Sequence, residues 1–228
     1  MVNLRCFLLL SIVPFLVFVE SSALATRSKN KFYFEPFFNI DYQVWQNDQF
    51  EQDPDDGDFT FRFRGLYYGP RLGSKFLWIY NKWLVYGFEG SYAYLFNTYS
   101  PDPDRTEDDS FKTDSTASQI QLGLYTGFQY KRFGLKLQYI PLTSIKNTEK
   151  YSTFTSTDSK NTYSGTGFGL GFSYIYKQKV NLYLEYQTLS FISFTIDGTE
   201  YVLPNTTGNM TFNELTTTKY SVGISIIF

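Results

Sequence analysis

Apolar and polar residues alternate in long runs from residue 31 to the end of the chain, and a period of two selects strands over helices. In residues 31–45, Phe32, Phe34, Phe38, Ile40, Tyr42 and Val44 share one face. Tyr33, Glu35, Asn39, Asp41 and Gln43 share the other. Comparable runs follow at 59–80, 83–96, 118–130, 133–144, 163–176, 179–194 and 211–228, which predicts eight strands. The run at 118–130 sets Ile120, Leu122, Leu124, Phe128 and Tyr130 against Gln119, Gln121, Gly123, Gly127 and Gln129. The run at 163–176 sets Phe168, Leu170, Phe172, Tyr174 and Tyr176 against Gly167, Gly169, Gly171 and Ser173. Each strand thus has one bulky apolar face and one small or polar face.

The connections restrict the topology further. Three are very short, at Asn81-Lys82, Lys131-Arg132 and Lys177-Gln178-Lys179. Four are long and polar, at 46–58, 97–117, 145–162 and 195–210, and long and short alternate strictly. Membrane barrels have short turns at one end and long loops at the other. An even strand number then leaves both termini on the short-turn side. The predicted fold is all-β: a transmembrane antiparallel up-and-down barrel of eight strands, with short periplasmic turns and four long external loops.

Composition agrees. Aromatic residues make up 21% of the chain and charged residues only 18%, and the mean hydropathy is slightly negative at -0.26. Many bulky apolar residues without a long apolar helix is what alternating strands produce. A net charge of -2 gives no electrostatic footprint for nucleic acid.

The N-terminus reads as a signal peptide over residues 1–25, with the barrel over 26–228. Arg5 supplies the basic start, Cys6 to Val19 the apolar run, and Ala23-Leu24-Ala25 an A-x-A pattern, so cleavage is expected after Ala25. The apolar run is shorter than the roughly 20 residues a spanning helix needs, and Pro14 interrupts it. Cys6 is the only cysteine and lies in this leader, so the mature chain offers neither disulfide nor thiolate chemistry.

The chain ends with Tyr220, Val222, Ile224, Ile226 and Phe228 at every second position and Ser221, Gly223 and Ser225 between them. This resembles the C-terminal signal of bacterial outer-membrane barrel proteins, which ends on an aromatic residue. In pattern, the whole mature chain resembles the small eight-stranded class, such as the OmpA transmembrane domain, OmpX and OmpW. The resemblance implies export to the bacterial outer membrane, both termini in the periplasm, and recognition of Tyr220, Val222, Ile224, Ile226 and Phe228 by the barrel-assembly machinery. It also implies outer-membrane lipid and lipopolysaccharide as surroundings. Nothing follows Phe228, so no periplasmic peptidoglycan-binding domain is expected.

An eight-stranded barrel is only wide enough for its own side chains. Glu35, Glu89, Lys136 and Glu185 fall on the inward faces, a few residues above the short-turn end. If Gly65, Gly69 and Gly73 also face inward, Arg71 and Lys75 join them, and the layer holds three acids and three bases. Buried charges need partners, so a paired cluster is expected, either as a structural plug or as a gate for a narrow path. The same parity turns Arg62 and Arg64 outward, where guanidinium groups suit lipopolysaccharide phosphates. A bulge between Gly65 and Pro70 would reverse this and bring both arginines inside. The two placements stay open at this point.

The first two external loops are acidic. Asp53, Asp55, Asp56 and Asp58 have a spacing that faintly resembles a calcium loop, but the distal Glu is missing. A solvated acidic loop is the plainer reading, and neither metal nor cofactor is expected. Trp78, Tyr80, Trp83, Tyr130, Phe133, Tyr176 and Phe228 crowd the turn-side ends. Tyr42, Tyr94, Phe96 and Tyr139 lie at the other end, as interfacial girdles do.

The chain contains no histidine, the residue that most often supplies general-base chemistry near neutral pH. The known small outer-membrane barrel enzymes rely on one, so their mechanisms cannot be carried over and an enzyme is not expected. Two functions remain: a structural or surface-interaction barrel (envelope integrity, adhesion or loop display), and a narrow pore for ions or small hydrophobic solutes.

Overall fold

The computed structural model describes the backbone of residues 31–53, 57–80, 83–98, 114–150, 159–177, 179–196, 199–207 and 210–228. The signal-peptide assignment at 1–25 lies outside the described residues. Ten strands form: β1 (Lys31–Asp53), β2 (Gly57–Tyr80), β3 (Leu84–Thr98), β4 (Asp114–Tyr130), β5 (Phe133–Lys150), β6 (Ser159–Tyr176), β7 (Val180–Ile196), β8 (Thr199–Val202), β9 (Asn205–Thr207) and β10 (Met210–Ile226). Neighbours pair antiparallel from β1 through β7, and β10 pairs with both β7 and β1, which closes an eight-stranded barrel. Closure removes every long free edge, the condition for putting a sheet into hydrocarbon. The short β8 and β9 extend β7 and β10 at the end away from the turns.

The short connections lie where expected, but the four long ones are all shorter than expected, three of them markedly so. β1 and β2 remain paired out to Asp53 and Gly57. β5 and β6 remain paired out to Glu149 and Ser159, and β8 and β9 occupy much of 195–210. Only 99–113 separates β3 from β4 without a described strand. Polar composition had suggested loops, yet strands that have left the membrane can be polar on both faces and still satisfy their backbones by pairing. At 23 and 24 residues, β1 and β2 are about twice the 9–11 residues that cross hydrocarbon.

Burial is inside-out relative to a water-soluble domain. Among the described residues, 35 large apolar or aromatic side chains are exposed, against 20 apolar side chains that are buried. The exposed set includes Leu122, Leu124, Leu135, Leu137, Leu182, Leu184, Val222 and Ile224. Toward the turns it passes into Trp78, Tyr80, Trp83, Tyr130, Phe133 and Tyr176. Toward the other end it passes into an aromatic row, in which Tyr42 pairs with Tyr220 and Tyr68, Tyr68 with Phe96, and Tyr220 with Tyr186. Only hydrocarbon flanked by two interfaces satisfies such a surface.

A bulge in β5 sets which residues enter the barrel. Lys136, Gln138 and Ile140 point inward, and after Pro141 and Leu142 the inward residues are Thr143, Ile145 and Asn147. The pairing register of β5 shifts against both β4 and β6 at this point. Pro141 has no N–H for the ladder, so the irregularity falls where a hydrogen bond is already missing. The extra residue also keeps Thr143 and Ile145, both fully buried, inside the barrel.

Candidate functional site in the barrel lumen

Two apolar clusters occupy the lumen at different heights. Toward the turns lie Tyr33, Leu77, Ile79, Tyr125, Ile175 and Ile227. Toward the external end lie Trp45, Tyr67, Ala93, Leu95, Ala117, Ile140, Ile145, Leu189, Phe191 and Leu215. Trp45 stacks on Tyr67 there, with ring centroids 4.1 Å apart.

Between the clusters sits a charged layer. Continuous pairing of β2 with β1 from Leu66 to Tyr80, and a register with β3 that is the same on either side of the unpaired Gly69 and Pro70, puts Arg71 and Lys75 inside, at 1% and 5% exposure. The register carries no bulge between Gly65 and Pro70, which removes the alternative that turned the strand over. The ladder runs unbroken through Arg64 and Arg62 opposite Gln46 and Asp48. Their side chains, and the lipopolysaccharide contact expected of them, lie outside the described residues. The side chains of the acidic candidates Asp53 and Asp58 do so as well, as do Asp55 and Asp56 altogether. Among the described residues, no group of three or more acids, His or Cys could hold a metal ion.

The structure brings the six charged candidates into one layer. Glu185 is the hub: Arg71 Nη2 lies 2.6 Å from its Oε2, and Lys136 Nζ 2.6 Å and Lys75 Nζ 3.4 Å from its Oε1. Lys136 Nζ also reaches Glu89 Oε2 at 3.1 Å, and Arg71 Nη1 faces Glu89 Oε1 at 3.6 Å. Glu35 stands apart, accepting hydrogen bonds from Ser225 Oγ at 3.1 Å and Asn181 Nδ2 at 3.4 Å. Lys75 Nζ sits over the rings of Tyr183 at 3.5 Å and Phe37 at 4.8 Å, a second source of stabilisation for a desolvated cation.

Two members of the layer were not singled out from sequence. Asp41 takes Arg71 Nε at 3.1 Å, and Lys219 Nζ lies 3.7 Å from Asp41 Oδ2. They raise the expected three acids and three bases to four of each, so the layer stays neutral: Glu35, Asp41, Glu89 and Glu185 against Arg71, Lys75, Lys136 and Lys219. Lys219 shares the parity of Ser221, Gly223 and Ser225, and that spacing was the available signal.

Glutamines complete the network toward the external cluster. Lys219 Nζ donates to Gln121 Oε1 at 2.6 Å, Gln121 to Gln187 at 2.9 Å, and Gln187 to Gln138 at 3.0 Å. A second relay runs from Trp45 Nε1 to Gln43 at 3.2 Å, on to Gln119 at 2.8 Å, and then to Thr143 Oγ1 at 2.9 Å. The first relay links β10, β4, β7 and β5, so it crosses the lumen rather than following one wall. A cavity of about 60 Å³ opens below the layer, lined by Glu35, Lys75, Lys136 and Glu185 with Leu77 and Ile79.

Such a lumen is built to hold charges against one another.

Comparison with known folds rests on the closed barrel. Its architecture matches Neisserial surface protein A with a TM-score of 0.53 at 16% identity, covering 88% of this chain and 100% of that one. The fold is that of the small outer-membrane β-barrels. Ail of Yersinia pestis also matches, with a TM-score of 0.45 at 14% identity over 88% of this chain and 100% of that one. So does the outer membrane protease OmpT of Escherichia coli, with a TM-score of 0.39 at 9% identity over 91% and 99%. No family model and no curated protein matches the sequence. Likeness at these identities carries the architecture alone, and function has to be argued from the side chains.

Proposed function

We propose that this protein is a closed structural or surface-interaction barrel of the bacterial outer membrane, serving envelope integrity, adhesion or loop display. The filled lumen carries this reading: a formally neutral layer of eight charges, seven of them ion-paired, lies between two apolar clusters. Toward the external end Trp45, Tyr67, Leu95 and Phe191 are packed into one buried apolar cluster, which opposes the passage of water and ions. Supporting the display role, β1 and β2 are long enough to project well past the aromatic row. The described ends of the barrel, Lys31 and Phe228, lie on the short-turn side, which this reading assigns to the periplasm. Ile227 N donates there to Lys179 O at 2.7 Å, and Phe228 N to Phe34 O at 3.1 Å. The outward row of Tyr220, Val222 and Ile224 is then available to the barrel-assembly machinery.

Planar-bilayer recording tests the reading. The purified barrel is expected to be silent, and stable openings lost on neutralising Lys136 or Glu89 would establish the narrow pore instead. One observation favours that second reading enough to keep it in view. Arg71 Nη1 and Glu89 Oε1 each lack a hydrogen bond although only 3.6 Å separates them. An exchange of ion-pair partners would begin at this loose joint.

A further inference from the structure

The three short turns carry a charge pattern that the lumen does not explain. Lys82, Lys131, Arg132, Lys177 and Lys179 place five bases in these turns, which contain neither Asp nor Glu. Lys131, Arg132, Lys177 and Lys179 are exposed, and among the described residues no acidic side chain pairs with them. The opposite end of the chain's topology has the reverse character, with Asp102, Asp104, Glu107, Asp108 and Asp109 in one connection. The short turns are purely basic, whereas that connection is predominantly acidic, with Arg105 and Lys112 as its only bases.

Backbone geometry makes lysine an unexpected choice at two of these positions. Lys131 has φ 53° and Lys177 φ 47°, in the left-handed region where a Cβ is crowded. Tight hairpin turns ordinarily place Gly, Asn or Asp there. Local folding preferences thus run against lysine at both positions, and the charge needs another reason.

Three of the turn cations also have an aromatic neighbour. Lys131 Nζ is 5.3 Å from the ring centroid of Tyr130, and Lys177 Nζ 5.2 Å from that of Tyr176. Arg132 Nη1 donates to the Tyr174 hydroxyl at 3.4 Å. Tyrosine and tryptophan settle at the headgroup level of a bilayer. Tyr130 and Tyr176, with Trp78 and Trp83 on the same rim, therefore set the cations at the depth of lipid phosphates.

We propose that the short-turn rim binds the phosphates of anionic phospholipid headgroups, through Lys131, Arg132, Lys177 and Lys179. This rests on the membrane reading above and goes beyond it: the rim selects for lipid charge and keeps an anionic annulus around the turns. Guanidinium and ammonium groups near an anionic interface each add attraction that salt screens.

Tryptophan quenching in reconstituted vesicles tests the proposal. Trp78 and Trp83 report from this rim, while Trp45 is enclosed in the lumen and supplies a constant background. Residues 26–228 are placed in bilayers containing equal fractions of brominated phosphatidylglycerol or brominated phosphatidylcholine. At low salt the phosphatidylglycerol preference is expected to be about threefold or more. It should drop to about one in K131Q/R132Q/K177Q/K179Q. Equal quenching by both lipids in the unmodified protein overturns the proposal, and so does a preference that survives the fourfold change. K131N/K177N guards against a folding defect, because asparagine suits both backbone positions. It should keep heat-modifiable gel migration and lose part of the preference; an unchanged preference overturns the proposal. A chain that does not insert would be quenched by neither lipid, and that failure belongs to the membrane reading rather than to this one.

Discussion

Glu185 shows how one residue governs the lumen. Its carboxylate meets Arg71, Lys75 and Lys136 within 3.4 Å and is buried to 4% exposure. Removing one partner from a buried charge group leaves the others desolvated and uncompensated, at about 3–5 kcal/mol. Glu185→Gln should therefore unfold at markedly lower urea, followed by the shift between folded and unfolded gel mobility. Adding Lys75→Met should recover part of the loss, because one unpaired cation then disappears. Gly223 makes a different kind of point. A Cβ there would run into the side chains of Asn39 and Tyr183, which meet in front of it. Gly223→Val should destabilise by about 1–3 kcal/mol through overpacking, read in the same urea titration. The inward parity of Glu35, Glu89, Lys136 and Glu185 was legible in the sequence because each sits in an unbroken alternating run. Arg71 and Lys75 were legible only on the condition that their neighbouring glycines face inward. Lys219 was hidden in a row of small residues, where one long side chain does not disturb the pattern.

At the scale of an element, β5 and β7 carry the clearest expectations. Deleting Pro141 would remove the bulge and rotate Thr143, Ile145 and Asn147 from lumen to lipid, since a one-residue slip exchanges the two faces. That chain should fail to acquire the heat-modifiable gel migration of a folded barrel. On β7, Leu184 faces lipid between Phe172 and Val222. Leu184→Arg should cost about 2–4 kcal/mol if it lies near the bilayer midplane, measured by denaturant titration in vesicles. The bulge was not legible because 133–144 reads as an acceptable alternating run until partners on both sides fix the register. The polar ends of β1, β2, β5 and β6 read as loops for a related reason. Outside the membrane neither face of a strand has to be apolar, so the period of two fades although pairing continues.

The whole molecule is organised by height along the barrel. Basic turns lie at one end, followed by an apolar plug, a neutral charged layer, glutamine relays and a second apolar plug, all inside an apolar outer wall. Heating before electrophoresis should convert the fast-migrating species to the slow one, as expected of a closed barrel that resists detergent. Proteolysis of intact cells checks the orientation: cutting is expected within 99–113 and not at the short turns. Cuts confined to the turns would reverse the proposed placement while leaving the barrel itself intact.

The sequence alone determined the class of fold, the number of barrel strands, the three tight turns and the faces of the unbroken alternating runs in β1, β4, β6 and β7. These follow from a two-residue period and from connection length, both local properties of the chain. Only the tertiary structure decided which charge meets which. Glu185 and Arg71 are 114 residues apart and Lys219 and Gln121 are 98 apart, on strands that meet across the lumen rather than along a ladder. Closing the sheet sets those distances, because the strand register around the whole ring fixes how high each inward side chain stands.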